Sequence, residues 1–417
     1  MRRHPLLAVA AVVALTLPWV AVRAAGLVGS LSPVAVILTS GVAVVGAAFV
    51  LTWGAETAER DVPRSFALAV LAVIAVAPEY AVDALFAWEA GKGVPGAADL
   101  AVANMTGANR ILVGLGWSLV ALYAIGRAVR SGDTAVARRE GFLTDAVELD
   151  GRIAIEILFL AAATLYAFLV PLGADGWGIG AVDAVVLVGL YAAYVAVILR
   201  GEAGHDTALG VPGYLQGLAR RRRVLAVLAM FVYSGVVILV AVKPFARGLE
   251  ALGPRLGVSS FFMIQWVAPL ASESPEFIAT AYLVRKLRTT AAFNALISSK
   301  LNQWTLLIGT LVVVYSVSLG RYDELAFSGK QAAEIWLTAA QSFFAVTLLV
   351  NFEMSVREAL VLLALFALQF LAPFQSFEGL LLYSGVYVVL GAAVLVARRR
   401  ALPEVLRQAR RHARPGE

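Results

Sequence analysis

Cysteine is absent from the 417 residues, which excludes disulfide staples, thiolate metal sites and cysteine nucleophiles. Histidine is nearly absent. His4, His205 and His412 all fall in terminal or loop segments, so a His-Glu-x-x-His zinc site has no place to form. No Walker-type loop occurs, which argues against direct ATP drive. An aspartyl intramembrane protease needs two facing aspartates, and Asp83 alone lies well inside an apolar run. Charge is scarce as well. Only 15% of the residues are charged, against about 25% in a typical soluble protein, and no extended polar region is long enough to hold a soluble domain. Apolar residues make up 60% of the chain. They come in runs of about 20 residues from end to end, the length that crosses a bilayer. The expected class is an all-α polytopic membrane protein and not an enzyme.

Twelve apolar segments are expected, at 6–22, 32–54, 66–90, 100–126, 153–172, 182–199, 224–242, 258–284, 290–318, 333–350, 357–373 and 377–397. Sorting the loops between them by side puts 25 basic residues on one side and 7 on the other, namely Arg23, Lys92, Lys243, Arg247, Arg255, Arg321 and Lys330. That asymmetry obeys the positive-inside rule and makes both termini cytoplasmic, in a plasma-membrane protein. It also accounts for the net charge of +6 without nucleic acid. The first segment has a second reading. Arg2-Arg3, an apolar core and Val22-Arg23-Ala24 have the plan of a cleavable signal peptide.

Two basic residues, Arg110 and Lys300, fall inside apolar segments, as do several acids. Residues 74–83 and 271–280 each carry a Pro-Glu-aromatic triplet, Pro78-Glu79-Tyr80 and Pro275-Glu276-Phe277, in mid-span. A carboxylate at that depth costs about 2.5–3.5 kcal/mol on the insertion scale, and a proline removes a backbone hydrogen bond and kinks the helix. The two segments are the third and eighth, so they cross the membrane in opposite directions. This is the pattern of an inverted-topology repeat with broken helices at a transport site. The expected organisation is an N-terminal helix or signal segment over 1–30, repeats at 31–200 and 224–397, a basic linker at 201–223 and a basic tail at 398–417.

At these residues the chain resembles the sodium/calcium exchanger family of the cation/calcium antiporter superfamily. That family carries a Gly-Thr-Ser-x-Pro-Glu motif on one helix of each repeat and Gly-Asn-x-x-Gly-Ser-Asn on the next. Here Ser272-Glu273-Ser274-Pro275-Glu276 stands at the first motif, and Asn294 to Lys300 follows eighteen residues on at the second. In the first half Pro78-Glu79 matches. Ala103-Asn104-Met105-Thr106-Gly107-Ala108-Asn109 matches after an insertion around Gly91–Gly96. The convincing part covers 56–125 and 245–315. The chain departs from the family in four ways: Ala75 and Val76 replace hydroxyls, Glu273 and Asp83 add acids, Lys300 replaces the last asparagine, and Arg110 follows Asn109.

Hard cations take oxygen ligands. Glu79 and Glu276 would supply one metal-binding carboxylate from each repeat, with Glu273 and Asp83 sharing their helix faces. Asn104, Asn109, Ser272, Ser298, Ser299 and Asn302 would add neutral oxygens. Pro78 and Pro275 would free carbonyls near Ile74 and Ala271. Lys300 and Arg110 would compensate charge, either in permanent ion pairs with these acids or, for Lys300, in place of a coupling ion. Glu156 and Glu334, near helix ends, read as interfacial, and the tryptophans as belt or packing residues. The resemblance implies a secondary-active antiporter working by alternating access. It would need no cofactor, would carry Ca2+, Na+ or H+ as substrates, and would have lipid and inorganic cations as its partners, its oligomeric state left open. Two alternatives stand beside it: a cation/proton exchanger of this fold that does not handle calcium, and a non-transporting scaffold with a salt-bridged site.

Overall fold

A computed structural model describes residues 4–61, 76–131, 134–172, 176–200, 208–371 and 374–413. Among the described residues helices occur at all twelve expected segments, the third from Ala77 on, since 66–75 lie outside the described residues, and eight are long and apolar enough to cross a membrane. In chain order they are α1 (Pro5–Ala24), α2 (Pro33–Ala58), α3 (Ala77–Gly91), α4 (97–131), α5 (Ala154–Ala167), α6 (Ala181–Ile198), α7 (Gly210–Gln216), α8 (Arg220–Arg255), α9 (260–285), α10 (Thr289–Leu319), α11 (Gly329–Leu349), α12 (Val356–Leu368), α13 (Phe377–Ala397) and α14 (Leu402–Ala413).

Helix starts follow local chemistry. Ser32 accepts from the Ala35 amide with Pro33 in the first turn of α2, Ser376 caps α13, and Ser355 with Glu358 forms a reciprocal capping box on α12. α8 overruns its expected end at residue 242 and continues through Pro244 to Arg255. At 36 residues it is about 54 Å long, more than a bilayer core requires.

The chain forms two compact units, Met1–Leu85 with Ala203–Pro275, and Phe86–Glu202 with Glu276–Glu417. Each takes one stretch from each half of the sequence, and two of the three divisions, after Leu85 and after Pro275, fall inside the two Pro-Glu helices.

In the first unit, α1, α7 and α8 pack on α2. Glycines on α2 permit the close approach: a Cβ on Gly46 would lie 2.7 Å from the Thr16 methyl, and one on Gly41 2.7 Å from the Phe245 ring. Trp19 is fully buried, and the Thr16 hydroxyl bonds that of Tyr233. At one end His4 packs edge-on against Tyr214, and Arg223 grips Asp61 through two hydrogen bonds of 2.5 and 2.6 Å.

The second unit is centred on α11, which packs against α13, α5 and α4. Its loops meet in two sets. At one end Lys92 donates to the Ser318 carbonyl, Asp99 accepts from the Ser328 amide, and β3 (Gly178–Ile179) pairs with β4 (Leu325–Ala326). In the other set, β2 (Ala146–Glu148) pairs antiparallel with β1 (Val136–Ala137) and with β5 (Glu353–Ser355), in register Val147 to Met354. Arg139 bonds Glu353 at 2.5 Å there, and Arg357 donates to the Phe142 carbonyl at 2.7 Å. These are the same two sets of loops into which basic residues sort in the sequence.

Candidate ion-binding groups

The two motif-bearing helices that follow the Pro-Glu segments share a backbone signature. α4 passes through a π-helical turn at Leu112–Trp117 and α10 through one at Gln303–Leu307. They begin three residues after Asn109 and three after Lys300, the same position of the motif in both halves. Such turns locally widen the helix by shifting backbone hydrogen bonds to i→i+5, and they recur at functional sites. Within the first of them packing is close, since a Cβ on Gly114 would meet the Phe366 ring.

In the first unit, Glu79 and Asp83 are buried on α3, and Ser272 and Glu273 are buried on α9. The Ser272 hydroxyl donates to the Glu79 carboxylate, so residues far apart in sequence meet as a carboxylate–hydroxyl pair. Pro78 stands in the first described turn of α3, and Ile74 lies outside the described residues. Pro275 sits inside continuous helix α9. The Ala271 carbonyl, expected to be freed by that proline, instead accepts from the Ser274 hydroxyl at 2.9 Å.

In the second unit, Glu276 is half-buried and accepts from the Ser299 hydroxyl at 3.1 Å. This repeats the carboxylate–hydroxyl pairing of Glu79. Asn302 donates to the Tyr191 hydroxyl at 3.3 Å. Asn104 and Asn109 are fully buried on α4. The Asn109 amide nitrogen donates to the Met105 carbonyl at 2.8 Å, which leaves its side-chain oxygen buried with no hydrogen-bond donor among the described residues. A buried amide oxygen without a donor suits a hard-cation ligand. Among the described residues, no three acidic, histidine or cysteine side chains gather as a resident metal centre.

Of the two membrane-interior cations, Arg110 departs from the expected pairing, and Lys300 shows no ion pair among the described residues. Arg110 is ion-paired at 2.5 Å with Glu334, an acid outside the expected four, and donates to the Gln369 amide oxygen at 3.1 Å. Glu334 was expected at an interface, yet it is 1% exposed, because α11 is enclosed by its neighbours over nearly its whole length. Lys300 is also fully buried, but its ammonium has no hydrogen-bond partner among the described residues and no carboxylate within 4.0 Å. It lies 4.0 Å from the centre of the Trp304 ring. That tryptophan is therefore more than packing, since an aromatic face attracts a cation.

Glu156 departs from its interfacial expectation in the same way. It stands in the first turn of α5 but is buried, accepting from Tyr194 at 3.4 Å, and Tyr194 in turn bonds Ser298 at 3.3 Å. Sequence reasoning missed Glu334, Gln369, Tyr191 and Tyr194 as partners. The available signal was that each is a polar group within a membrane-length apolar run.

Comparison with known proteins bears on the family and the fold. The family model for the sodium/calcium exchanger protein matches residues 9–200 and 226–374. The crystal structure of the H+/Ca2+ exchanger CAX is similar at 43% identity and a TM-score of 0.88 over 98% of both chains. The sodium-calcium exchanger NCX_Mj, soaked with 100 mM Na+ and 10 mM Sr2+, shares the fold at 16% identity and a TM-score of 0.51, covering 81% of this chain and 97% of that one. No curated protein matches the sequence significantly. Family match, helix order and the paired Pro-Glu segments agree: the chain is a member of the sodium/calcium exchanger protein family, a polytopic membrane protein of the cation-exchanger fold.

Proposed function

We propose that this exchanger moves calcium against protons by alternating access, with Glu79 and Glu276 as the carboxylates that hold cation and proton in turn. Ser272, Ser299, Asn104, Asn109 and Asn302 supply neutral oxygens, and Glu273 and Asp83 supply further negative charge. No cofactor is required, since the ion gradients provide the drive. The protein works in the cell membrane, with both termini on the cytoplasmic side if the first helix is retained, an orientation its loop charges support.

The observation that carries the proton reading is Lys300. It stands at the last asparagine of the second motif, and among the described residues no carboxylate lies within 4.0 Å of its ammonium. A fixed ammonium there occupies space that a sodium ion would need and supplies positive charge that a coupling ion would bring. Protons compete with metal ions for crowded carboxylates without needing a cavity of their own. The similarity to an H+/Ca2+ exchanger over nearly the whole chain points the same way.

The test is ion flux in proteoliposomes holding the purified protein, with Ca2+ or Na+ gradients imposed with and without a pH gradient. Calcium uptake driven by an outward proton gradient, indifferent to sodium, is expected. Glu276→Gln should reduce it at least tenfold. Calcium uptake driven by sodium would overturn the proton reading and make Lys300 a bystander. Proton-driven cation flux that excludes calcium would move the substrate assignment. No flux from correctly inserted protein would leave a salt-bridged scaffold.

A further inference from the structure

Three basic side chains that the sequence sorts to the sparsely charged side, Arg23, Lys243 and Arg247, line a single cleft in the first unit. They are three of only seven basic residues on that side. The cleft lies between the end of α1, the 3-10 turn Val28–Ser30, the start of α2 and the distal part of α8. Its volume is about 630 Å3, within the range of about 300–1,000 Å3 typical of ligand sites.

The walls are apolar. Val36 and Leu239 line the cleft together with Val240 and Pro244. Leu239 is 78% exposed, so it faces whatever surrounds the helices, which in a membrane is hydrocarbon. Arg247 also bonds Glu250 at 2.6 Å, which partly offsets its charge, and Arg23 sits in the last turn of α1. The cleft thus joins a cationic rim to a hydrocarbon wall. A small soluble anion would use the rim and leave the wall idle. An amphiphile with a phosphate head and an acyl chain uses both, and arginine binds phosphate through paired hydrogen bonds. Positive charge is otherwise sparse on this side, so the clustering is not a consequence of the general loop bias.

We propose that this cleft is a binding site for one anionic phospholipid, its phosphate held by Arg23, Lys243 and Arg247 and one chain lying along Val36 and Leu239. A lipid seated there would link the end of α1 to α8. None of the residues lining the cleft is a carboxylate proposed to bind ions, and the proposal does not rest on the exchange reading.

The test uses the full-length protein in a neutral detergent, with phosphatidylglycerol or phosphatidylcholine of identical chains added. Thermal stability and the number of lipids retained in native mass spectra are measured. Phosphatidylglycerol should raise the melting temperature and leave one lipid bound per chain, whereas phosphatidylcholine should do neither. The double variant Arg23→Gln/Lys243→Gln should bind it at least tenfold more weakly. Arg321→Gln, which removes a basic residue of the same side from outside the cleft, should behave as wild type. If the double variant is poorly folded, Arg23→Lys/Lys243→Arg should fold and keep the lipid response. Equal responses to both lipids, or an unchanged response in the double variant, would overturn the proposal. So would an equal stabilisation by inorganic phosphate, which would mark the cleft as a site for soluble anions.

Discussion

Arg110 and Lys300 occupy neighbouring positions of the same motif in the two halves of the chain, and both are buried in the second unit. Their surroundings differ completely. Arg110 has a carboxylate at 2.5 Å and an amide oxygen at 3.1 Å. Lys300 has an aromatic face at 4.0 Å and no hydrogen-bond partner among the described residues. A buried ion pair is held in place because removing either member strands the other. A lone ammonium against a ring is stabilised far less. The same depth and the same sign of charge therefore meet two surroundings: Arg110 fastens α4 to α11, while Lys300 has no such partner and is the cation to which the proposed function gives a part in coupling.

Breaking the fastened cation should have the largest effect. Arg110→Ala leaves Glu334 buried without its guanidinium and should destabilise the protein by about 3–5 kcal/mol, seen as a large fall in melting temperature. Replacing both partners, Arg110→Met with Glu334→Leu, should recover most of that loss, because removing an entire buried pair is often neutral. A double variant as unstable as the single one would show that Arg110 is held mainly by contacts other than Glu334, and the contrast with Lys300 would weaken.

How much of this was legible beforehand can be judged residue by residue. The helices followed from apolar run length, and Glu79 and Glu276 stood out because a mid-span carboxylate is costly. Ser272 and Ser299 were named from their positions, and each bonds a motif carboxylate. Glu334 was misread as interfacial because position along a helix reports depth but not which neighbours enclose it. The Ala271 carbonyl was expected to be open because the rule for proline removes one donor, and a rule of that kind cannot see the Ser274 hydroxyl that replaces it. The extent of α8 exceeds the apolar segment 224–242, because apolar run length marks what crosses a bilayer and not where the helical backbone ends.

Asp61 and Arg223 offer an intermediate case, an ion pair near the end of α2 with side chains 12% and 8% exposed. The Arg223 guanidinium bonded to Asp61 holds its carboxyl below the usual value of 3.8. A lowered carboxyl stabilises the fold above its unfolded pKa, and that contribution is lost as pH falls through the folded value. Asp61→Asn should cost about 1.5–3 kcal/mol near neutral pH. The gap between variant and wild type should narrow only below about pH 4, where the unfolded carboxyl protonates. A gap that is constant down to pH 2 in chemical denaturation would mean that packing, not the charge, makes the difference.

Lys300→Met should have the smallest effect on stability and the most telling one on function. Methionine fills a similar elongated volume beside Trp304, and a swap that conserves volume in a core costs less than about 1.5 kcal/mol. The cation–ring attraction is lost, but so is the need to keep an ammonium among apolar groups. Melting temperature should therefore stay near wild type while the pH and sodium dependence of flux changes, since the space and charge of the ammonium are gone. Should Lys300→Met unfold the protein as severely as Arg110→Ala, Lys300 would be a structural cation after all, and the distinction between the two motif positions would collapse. Should it leave both stability and ion dependence untouched, the ammonium would have no part in coupling.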